Sequence, residues 1–290
     1  VRGKEISRPL DELVAEVAGL VEQGVTEVTL LGQNVNSYGR DLTKRSPMFA
    51  QLLREVGAID GLKRVRFTSP HPKDMRPDVF EAMAEVSSVC NHLHFPLQSG
   101  SDRVLAAMHR GYNAARYLEK VRLARATISD LAITSDIIVG FPGETDNDFE
   151  RTLEVAAEVG YDSCYPFIFS PRTGTEAATM TEQFVPEDVI TDRFDRLQIV
   201  LQRSALSKHE ARLGMVESVL VEGPSARHES RWSARTSQNK LVHFEKVAGV
   251  ATGAYANVRI THAARHHLLG DVVEVTAAPK HKTRIPVAVV

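Results

Sequence analysis

Hydrophobic residues follow two alternating periods along the first two thirds of the chain. Residues 11–23 (DELVAEVAGLVEQ) carry apolar side chains three and four positions apart, a helical spacing that stops at Gly24. The β-branched stretch 25–31 follows at once and predicts a strand. Further strands, most with helical patterns after them, are predicted at 65–68, 92–97, 131–139 and 163–169. This alternation predicts right-handed βαβ units with a parallel sheet.

The pattern changes near residue 213. Pro186 begins a long helical stretch, and beyond it alternate residues are apolar at 216–220, 240–244, 255–260 and 271–275. Short strands with glycine-containing connections and no helices predict a small antiparallel, OB-like barrel. We therefore expect a (β/α) domain over residues 1–212 and a β domain over residues 213–290.

Charge is distributed unevenly between these two parts. Residues 213–290 hold 10 Lys and Arg against 6 Asp and Glu, whereas residues 1–212 hold 25 against 31, and the whole chain has a net charge of −2. Six of the eleven histidines also fall in the second part. The basic balance makes the second domain a candidate for a polyanionic partner, although surface charge of this size commonly serves solubility. No apolar run reaches the roughly 18 residues of a membrane span, so no membrane partner is expected.

The segments that follow the predicted strands are rich in amides, hydroxyls and glycines. The carboxyl ends of parallel barrel strands meet on one face, and they contain neither paired carboxylates nor a Ser-His-Asp set. This composition favours hydrogen bonding to a large polar cofactor, with Gln33, Gln98 and Asp136 as the first candidates. Ser101 and Asp102 are instead expected to be helix caps.

Five segments in order resemble the radical S-adenosylmethionine methylthiotransferases. They are GQNVNSY at 32–38, RFTSPH at 66–71, LQSGSD at 97–102 with MHRGY at 108–112, DIIVGFPGET at 136–145, and SPRTGT at 170–175. Within that family the first two resemble the branch that makes 2-methylthio-N6-isopentenyladenosine in tRNA (the MiaB branch). RTSQNKLVHF at 235–244 resembles the core of the TRAM domain, an RNA-binding module.

The resemblance implies a partial (β/α) radical-SAM barrel that binds S-adenosylmethionine, followed by a TRAM domain. A glycine lacks a Cβ, so the bend Gly140–Gly143 is expected to let the backbone approach the adenine. The implied cofactor-binding residues are Gln33, Asn34, Ser69, His71, Gln98, Ser99, Asp136, Gly140, Phe141, Pro142 and Gly143. The implied RNA-binding residues are Trp232, Arg235, Asn239 and Lys240.

Members of that family hold a [4Fe–4S] cluster on a Cys-x-x-x-Cys-x-x-Cys loop after the first barrel strand, and a second cluster in an N-terminal domain. Residues 1–8 resemble the segment just downstream of the loop. We therefore expect the loop, the first strand and the N-terminal domain to lie upstream of Val1. Cys90 and Cys164 match no ligand position and are expected to be buried thiols. No catalytic cysteine, metal ligand or cluster is then expected in this chain.

The implied reaction is addition of a methylthio group to C2 of N6-isopentenyladenosine beside the tRNA anticodon. The expected full-length protein is a cytoplasmic, monomeric enzyme with two clusters, an electron donor and the anticodon stem-loop as partners; this chain alone would be inactive. Alternatives within the family are action on threonylcarbamoyladenosine in tRNA or on a ribosomal-protein aspartate. Outside it, the chain could be an RNA-binding fragment without catalysis, or a barrel enzyme for a phosphorylated metabolite, for which 170–175 makes a poor phosphate loop.

Overall fold

A computed structural model describes residues 6–44 and 46–279. Its first part alternates helices and parallel strands. The helices are α1 Leu10–Glu22, α2 Arg40–Thr43, α3 Phe49–Gly57, α4 Pro77–Glu85, α5 Asp102–Ala107, α6 Ala114–Thr127, α7 Asp146–Val159, α8 Glu176–Thr179 and α9 Glu187–Glu210. The strands of this part are β1 Glu27–Leu30, β2 Arg64–Phe67, β3 His92–His94, β4 Ala132–Val139 and β5 Ser163–Ile168.

The five parallel strands form two sheets rather than one. β1 pairs with β2, and β4 lies between β3 and β5, all in parallel register. The predicted parallel α/β class is confirmed, and an isolated parallel bridge between Val65 of β2 and Val89 links the two sheets. There Val65 bonds to the segment that precedes β3, accepting from Cys90 N at 2.9 Å and donating to Ser88 O at 2.7 Å.

Alternation along the strands separates an apolar face from a polar one. Val65 and Phe67 on β2, and Ile133 and Ile137 on β4, are at most 4% exposed and belong to the core beneath the helices. Successive strand residues point to opposite faces, so Arg64, Arg66, Thr134 and Asp136 line the inside of the half-barrel. Helix α3, for which we made no separate prediction, contributes Phe49, Leu53 and Val56 to the same core.

The second part is a closed five-stranded barrel with the strand order β10-β8-β7-β6-β9. Its strands are β6 Val216–Pro224, β7 Arg231–Thr236, β8 Leu241–Glu245, β9 Tyr255–Ala263 and β10 Leu268–Ala277. The predicted barrel is confirmed with two corrections. Strand β7 was missed because its inward positions, Trp232, Ala234 and Thr236, include a small and a polar residue, which makes the alternation weak. In addition, the barrel closes through a parallel pair, β8 with β10. Phe244 lies in the barrel core, 2% exposed.

The predicted boundary at residue 213 falls in the connection between α9 and β6. Residues 1–5, which belong to the segment that resembles the one downstream of a cluster loop, lie outside the described residues, as do residues 280–290 of the second predicted domain. Within the described ranges, no helix is long and apolar enough to cross a membrane.

Candidate cofactor and RNA-binding sites

Side-chain contacts join the loops after β1 and β2. Asn36 is fully buried; its Nδ2 donates to the carbonyl of His71 at 3.0 Å, and its Oδ1 accepts from the His71 backbone N–H at 2.7 Å. Asn34 Nδ2 donates to Asp74 at 2.7 Å. Sequence reasoning did not select Asn36 as a site residue, although it lies two positions after the candidate Asn34. These contacts fix two of the predicted cofactor loops relative to each other.

His71 extends this network to the third loop. Its ring packs edge-on against Tyr112, with centroids 5.7 Å apart, and burial followed by the nearby charge of Arg110 lowers the pKa of His71. The Tyr112 hydroxyl donates to the carbonyl of Leu97 at 3.0 Å, next to Gln98. Three of the predicted loops therefore converge at the carboxyl ends of the strands.

Gln98 has an unusual backbone for a residue that is not glycine. Its φ is +68°, its N–H donates to Asp136 O at 2.8 Å, and its carbonyl accepts from Ile138 at 2.9 Å. Among the described residues, the Gln98 side-chain amide has no hydrogen bond. A backbone held in the left-handed region by two strand-like bonds is typical of a functional site, because the strain persists only where the surroundings enforce it.

Asp136 belongs to a row of polar side chains inside the half-barrel. Sequence reasoning selected Asp136 but not the other residues of this row. Asp136 Oδ2 lies 3.3 Å from His94 Nε2, while His94 Nδ1 and His92 Nε2 each lie 3.0 Å from Thr134 Oγ1. The signal was present in the sequence as His-x-His and Thr-x-Asp within apolar strands. Burial, and then the charge of Arg66, lower the pKa of His92 from 6.5 to about 3.

The depressed pKa of His92 predicts a loss of stability in acid. Between pH 6.5 and 3 the unfolded chain binds a proton that the folded chain does not, so stability falls as pH falls. From pH 7 to 5 this group should cost about 2 kcal/mol. His92→Gln should remove that part of the loss in urea denaturation at the two pH values. His109→Asn, an exposed control, should not; equal losses in wild type and H92Q would contradict the prediction.

The Gly140–Gly143 bend packs closely against the segment around α9. A Cβ on Gly140 would lie 2.7 Å from Ile190 of α9, and one on Gly143 would lie 2.9 Å from Gln183, at φ values of +76° in both cases. Phe141 is buried against Phe169, with ring centroids 5.4 Å apart. The glycines thus permit a close approach to Ile190 of α9 and to Gln183, while contact of the bend with the adenine stays a prediction.

Glu144 holds the same bend from inside. Its Oε2 accepts from the N–H of Gly140 at 2.9 Å and from Arg193 Nη1 at 3.0 Å. Burial raises the pKa of Glu144, although these two contacts oppose the rise. The buried Pro142 belongs to the same bend.

Three other predicted cofactor-binding residues are either exposed or turned toward the protein's own helices. Ser99 is fully buried, with its Oγ 3.3 Å from Thr152 Oγ1 on α7, so its hydroxyl faces a helix rather than the barrel mouth. Ser69 is exposed with a φ of +58°, and its carbonyl accepts from Val35. Gln33 is exposed on the turn after β1.

The remaining groups fit a polar cofactor, but not an iron–sulfur cluster. Asn34 Oδ1 is buried without a hydrogen-bond partner, and the Gln98 amide and the partly exposed Asp136 carboxylate add polar atoms at the strand ends. In the described ranges, no group of three His, Cys, Asp or Glu side chains could hold a metal ion. Burial raises the pKa of both cysteine thiols, Cys90 and Cys164, so neither favours the thiolate that a cluster requires.

The loop between β7 and β8 closes the opposite end of the half-barrel. Arg64 donates to the carbonyls of Arg235 and Ser218 at 2.8 Å each. Arg66 donates to the carbonyls of Thr236 at 2.8 Å and Ser237 at 3.0 Å. Both arginines belong to β2, and their side chains point into the interior of the half-barrel. The segment that resembles the TRAM core therefore docks on the amino-terminal ends of the parallel strands.

Lys240 lies within this interface. Its Nζ donates to Asp162 Oδ1 at 2.5 Å, and the two side chains are 3% and 8% exposed. Asp162 also accepts from the Ile133 N–H at 3.0 Å, and Gln238 donates to the carbonyl of Asp130. The expected phosphate contact of Lys240 is inconsistent with this burial, because its ammonium already has a buried partner; Lys240 holds the two domains together.

The other RNA-binding candidates also have protein partners. Arg235 Nε donates to Glu222 at 2.9 Å and its Nη1 to the carbonyl of Asn239 at 3.1 Å, while Asn239 turns the chain at a φ of +63°. The Trp232 ring packs against the barrel core, and the Lys246 ammonium lies 5.3 Å from its centroid. Arg235 is the candidate most accessible to a phosphate, at 36% side-chain exposure.

Curated relatives match nearly the whole chain. The tRNA-2-methylthio-N(6)-dimethylallyladenosine synthase 1 of Mycobacterium marinum (strain ATCC BAA-535 / M) is 47% identical over 93% of this chain and 54% of its own length. The synthases of Carboxydothermus hydrogenoformans (strain ATCC BAA-161 / DSM 6008 / Z-2901) and Salinispora arenicola (strain CNS-205) are 47% and 48% identical, covering 94% and 93% of this chain and 61% and 55% of their own lengths. The chain thus spans between half and two thirds of these relatives.

Among solved structures, coproporphyrinogen III oxidase (HemN) from Escherichia coli, described as a radical SAM enzyme, matches 88% of this chain and 62% of its own, with a TM-score of 0.49 and 14% identity. Two family profiles match in order along the sequence. The TRAM domain matches residues 210–273, which include all five strands of the closed barrel except the end of β10. The Radical SAM superfamily matches residues 1–156, more than half of the chain. The chain belongs to the radical SAM superfamily.

Proposed function

We propose that this chain is the cofactor-binding and RNA-binding part of a tRNA methylthiotransferase that acts on N6-isopentenyladenosine beside the anticodon. The observation that carries the proposal is the 47–48% identity, over 93–94% of the chain, to relatives named as tRNA-2-methylthio-N(6)-dimethylallyladenosine synthases. The joined Radical SAM and TRAM matches support it, since they combine a cofactor barrel with an RNA-binding module.

The cofactor proposal is S-adenosylmethionine at the carboxyl ends of the strands. Asn34, Gln98 and Asp136 would hold its polar portions, and His94 would keep the Asp136 carboxylate in place at 3.3 Å. The cofactor supplies a methyl group and, on reductive cleavage, a 5′-deoxyadenosyl radical. The chain's own residues bind and orient it and exclude water.

The two [4Fe–4S] clusters belong to the proposal for the whole protein. Their cysteines and the site of an electron donor would belong to other parts of the full-length protein; the described residues of this chain do not fit a cluster. The partner is the tRNA anticodon stem-loop, and the protein is a cytoplasmic monomer.

Nucleoside analysis of a deletion strain tests the function. Hydrolysed tRNA from cells that lack the gene should lose 2-methylthio-N6-isopentenyladenosine and accumulate N6-isopentenyladenosine, and the restored gene should reverse both changes. Loss of a methylthio group from threonylcarbamoyladenosine, or from a ribosomal-protein aspartate, would assign the sibling activities instead. An unchanged nucleoside and protein profile would reject methylthiotransfer.

Calorimetry tests the cofactor site in the complete gene product. Gln98→Asn keeps a residue that tolerates the left-handed backbone but shortens the amide, so S-adenosylmethionine should bind about 1–3 kcal/mol more weakly. Asp136→Asn should weaken binding similarly. Ser99→Ala is the matched control, because the Ser99 hydroxyl faces Thr152, and its affinity should be unchanged. Wild-type affinity in folded Q98N would assign Gln98 to loop structure alone.

A further inference from the structure

One outer face of the closed barrel gathers histidines from separate strands and turns. The strand register aligns Ser233 of β7, His243 of β8 and Leu269 of β10, and Leu269 also pairs with His262 of β9. Directly paired positions carry their side chains on the same face, so these residues form one row across four strands. The barrel core lies on the other side of this row.

Further basic groups surround the row. The rings of His243 and His267 have centroids 5.3 Å apart, and Ser233 Oγ lies 3.0 Å from His243 Nδ1. We call the set the histidine surface: Arg227, His228, His243, His262, His266 and His267. Arg227, His228, His262 and His266 are exposed, and His243 and His267 are partly buried.

Burial, together with neighbouring positive charges, lowers the pKa of both inner imidazoles. Burial, and then the charges of His243, His262, His266 and Arg227, lower the pKa of His267. Burial comes first for His243 as well, and the charges of Arg231 and His228 also lower its pKa, although a hydrogen bond with the Trp232 backbone opposes this.

The other charged groups around this face include acids as well as bases. The Glu245 carboxylate is paired with Arg231 at 2.7 Å, and Lys246 covers Trp232. Glu229 is exposed in the turn beside His228, and Arg265 donates to Gln202 of α9 at 2.9 Å. His209 of α9 approaches from behind, its Nδ1 2.6 Å from the carbonyl of Ala264.

We propose that the histidine surface binds the phosphate backbone of the RNA substrate, and that its affinity rises as its imidazoles take up protons. The proposal rests on the proposed function, which makes tRNA the substrate. A phosphate beside an imidazole favours the charged form, so RNA binding is coupled to proton uptake. Metal coordination does not explain the cluster, since the described residues hold no group of three ligands arranged for an ion.

The contacts between the two domains also favour the histidine surface as the place where RNA binds. Lys240, the basic residue expected to meet RNA, is buried against Asp162, and the backbone of its loop is bound by Arg64 and Arg66. The histidine surface instead belongs to strands and turns outside that loop. It is a basic face of the barrel whose described residues lie outside the contacts between the two domains.

The test measures tRNA binding by the 290-residue protein at pH 6.0 and 8.0 and constant ionic strength. Wild type should bind about tenfold more tightly at pH 6.0, the change expected when binding takes up roughly half a proton on average over these two pH units. The triple variant His228→Gln/His262→Gln/His266→Gln, which changes only exposed side chains, should reduce that ratio to about threefold or less. His243→Gln/His267→Gln is a second variant of the inner pair, and His109→Asn, exposed on the first domain, is the control.

Each outcome has a distinct meaning. A pH ratio that falls in both variants and persists in H109N supports the proposal. Tight tRNA binding with the same affinity at both pH values, or with variants like wild type, overturns the histidine surface and leaves the proposed function intact. Absence of tRNA binding at either pH also overturns it, while the nucleoside analysis of a deletion strain independently decides the proposed function.

Discussion

Replacing Lys240 with methionine should lower the free energy of unfolding by about 3–5 kcal/mol, because it leaves the Asp162 carboxylate buried without its counter-charge. The two side chains are 3% and 8% exposed, and their atoms are 2.5 Å apart. Methionine keeps most of the apolar stem, so the change isolates the charge rather than the packing. Urea denaturation at pH 7 measures the effect.

A double variant separates the lost ion pair from a general packing defect. Lys240→Met/Asp162→Asn removes both charges, and the asparagine oxygen can still accept from the Ile133 N–H. It should recover more than half of the loss, since removing both charges of a buried pair costs far less than removing one. Arg151→Met breaks an exposed pair with Glu154, 61% and 62% exposed, and should cost at most about 1 kcal/mol. A loss in K240M as small as that in R151M would contradict the prediction.

Gly100→Ala should destabilise the first domain by about 3 kcal/mol or more, through overpacking against backbone that cannot move aside. A Cβ at Gly100 would lie 2.5 Å from the carbonyl oxygen of Arg151 and 2.6 Å from Thr152 Cα. The same change would push the Gly100 N–H away from Thr152 Oγ1, which now accepts from it at 3.0 Å. Thermal or urea unfolding measures the loss.

A second glycine offers the matched control for this substitution. Gly19 lies inside α1, and a Cβ there would have nothing within 4 Å. Gly19→Ala should therefore gain about 0.5–1 kcal/mol from helix propensity alone. If G100A proved as stable as wild type, the approach of α7 to the Ser99–Ser101 loop would be looser than the structure has it.

The (β/α) pattern and the second barrel could be predicted because each depends on local periodicity. The strand at 132–139 lies within a residue of the pattern that predicts it at 131–139, and the helix at 146–159 follows it as predicted. Strand β7 could not be predicted this way, because Arg231 to Thr236 includes polar residues on both faces. Its inward-facing positions include small residues such as Ala234, which pack only because neighbouring strands surround them.

The candidate cofactor site was predicted in outline, not in its contacts. Asn34 and Gln98 follow the ends of β1 and β3, where parallel topology brings loops together. Asp136 lies within β4, and its position on the inner face follows from the alternation of side chains along a strand. The roles of Ser99 and of the Gly140–Gly143 bend could not be read from the sequence, because a hydroxyl or a glycine serves a ligand and a neighbouring helix equally well. Only the positions of α7 and α9 distinguish the two.

The sequence by itself determined the class of each domain and its likeness to known families, since period, turn residues and ordered motifs are local properties of the chain. Only the tertiary structure decided which charged side chains are buried in ion pairs and which stay exposed. Lys240 and Arg235 are alike in the sequence, yet one is buried against Asp162 and the other is partly exposed beside Glu222. The energy of a charge depends on the groups and the solvent around it, and those are brought together only when distant segments fold into contact.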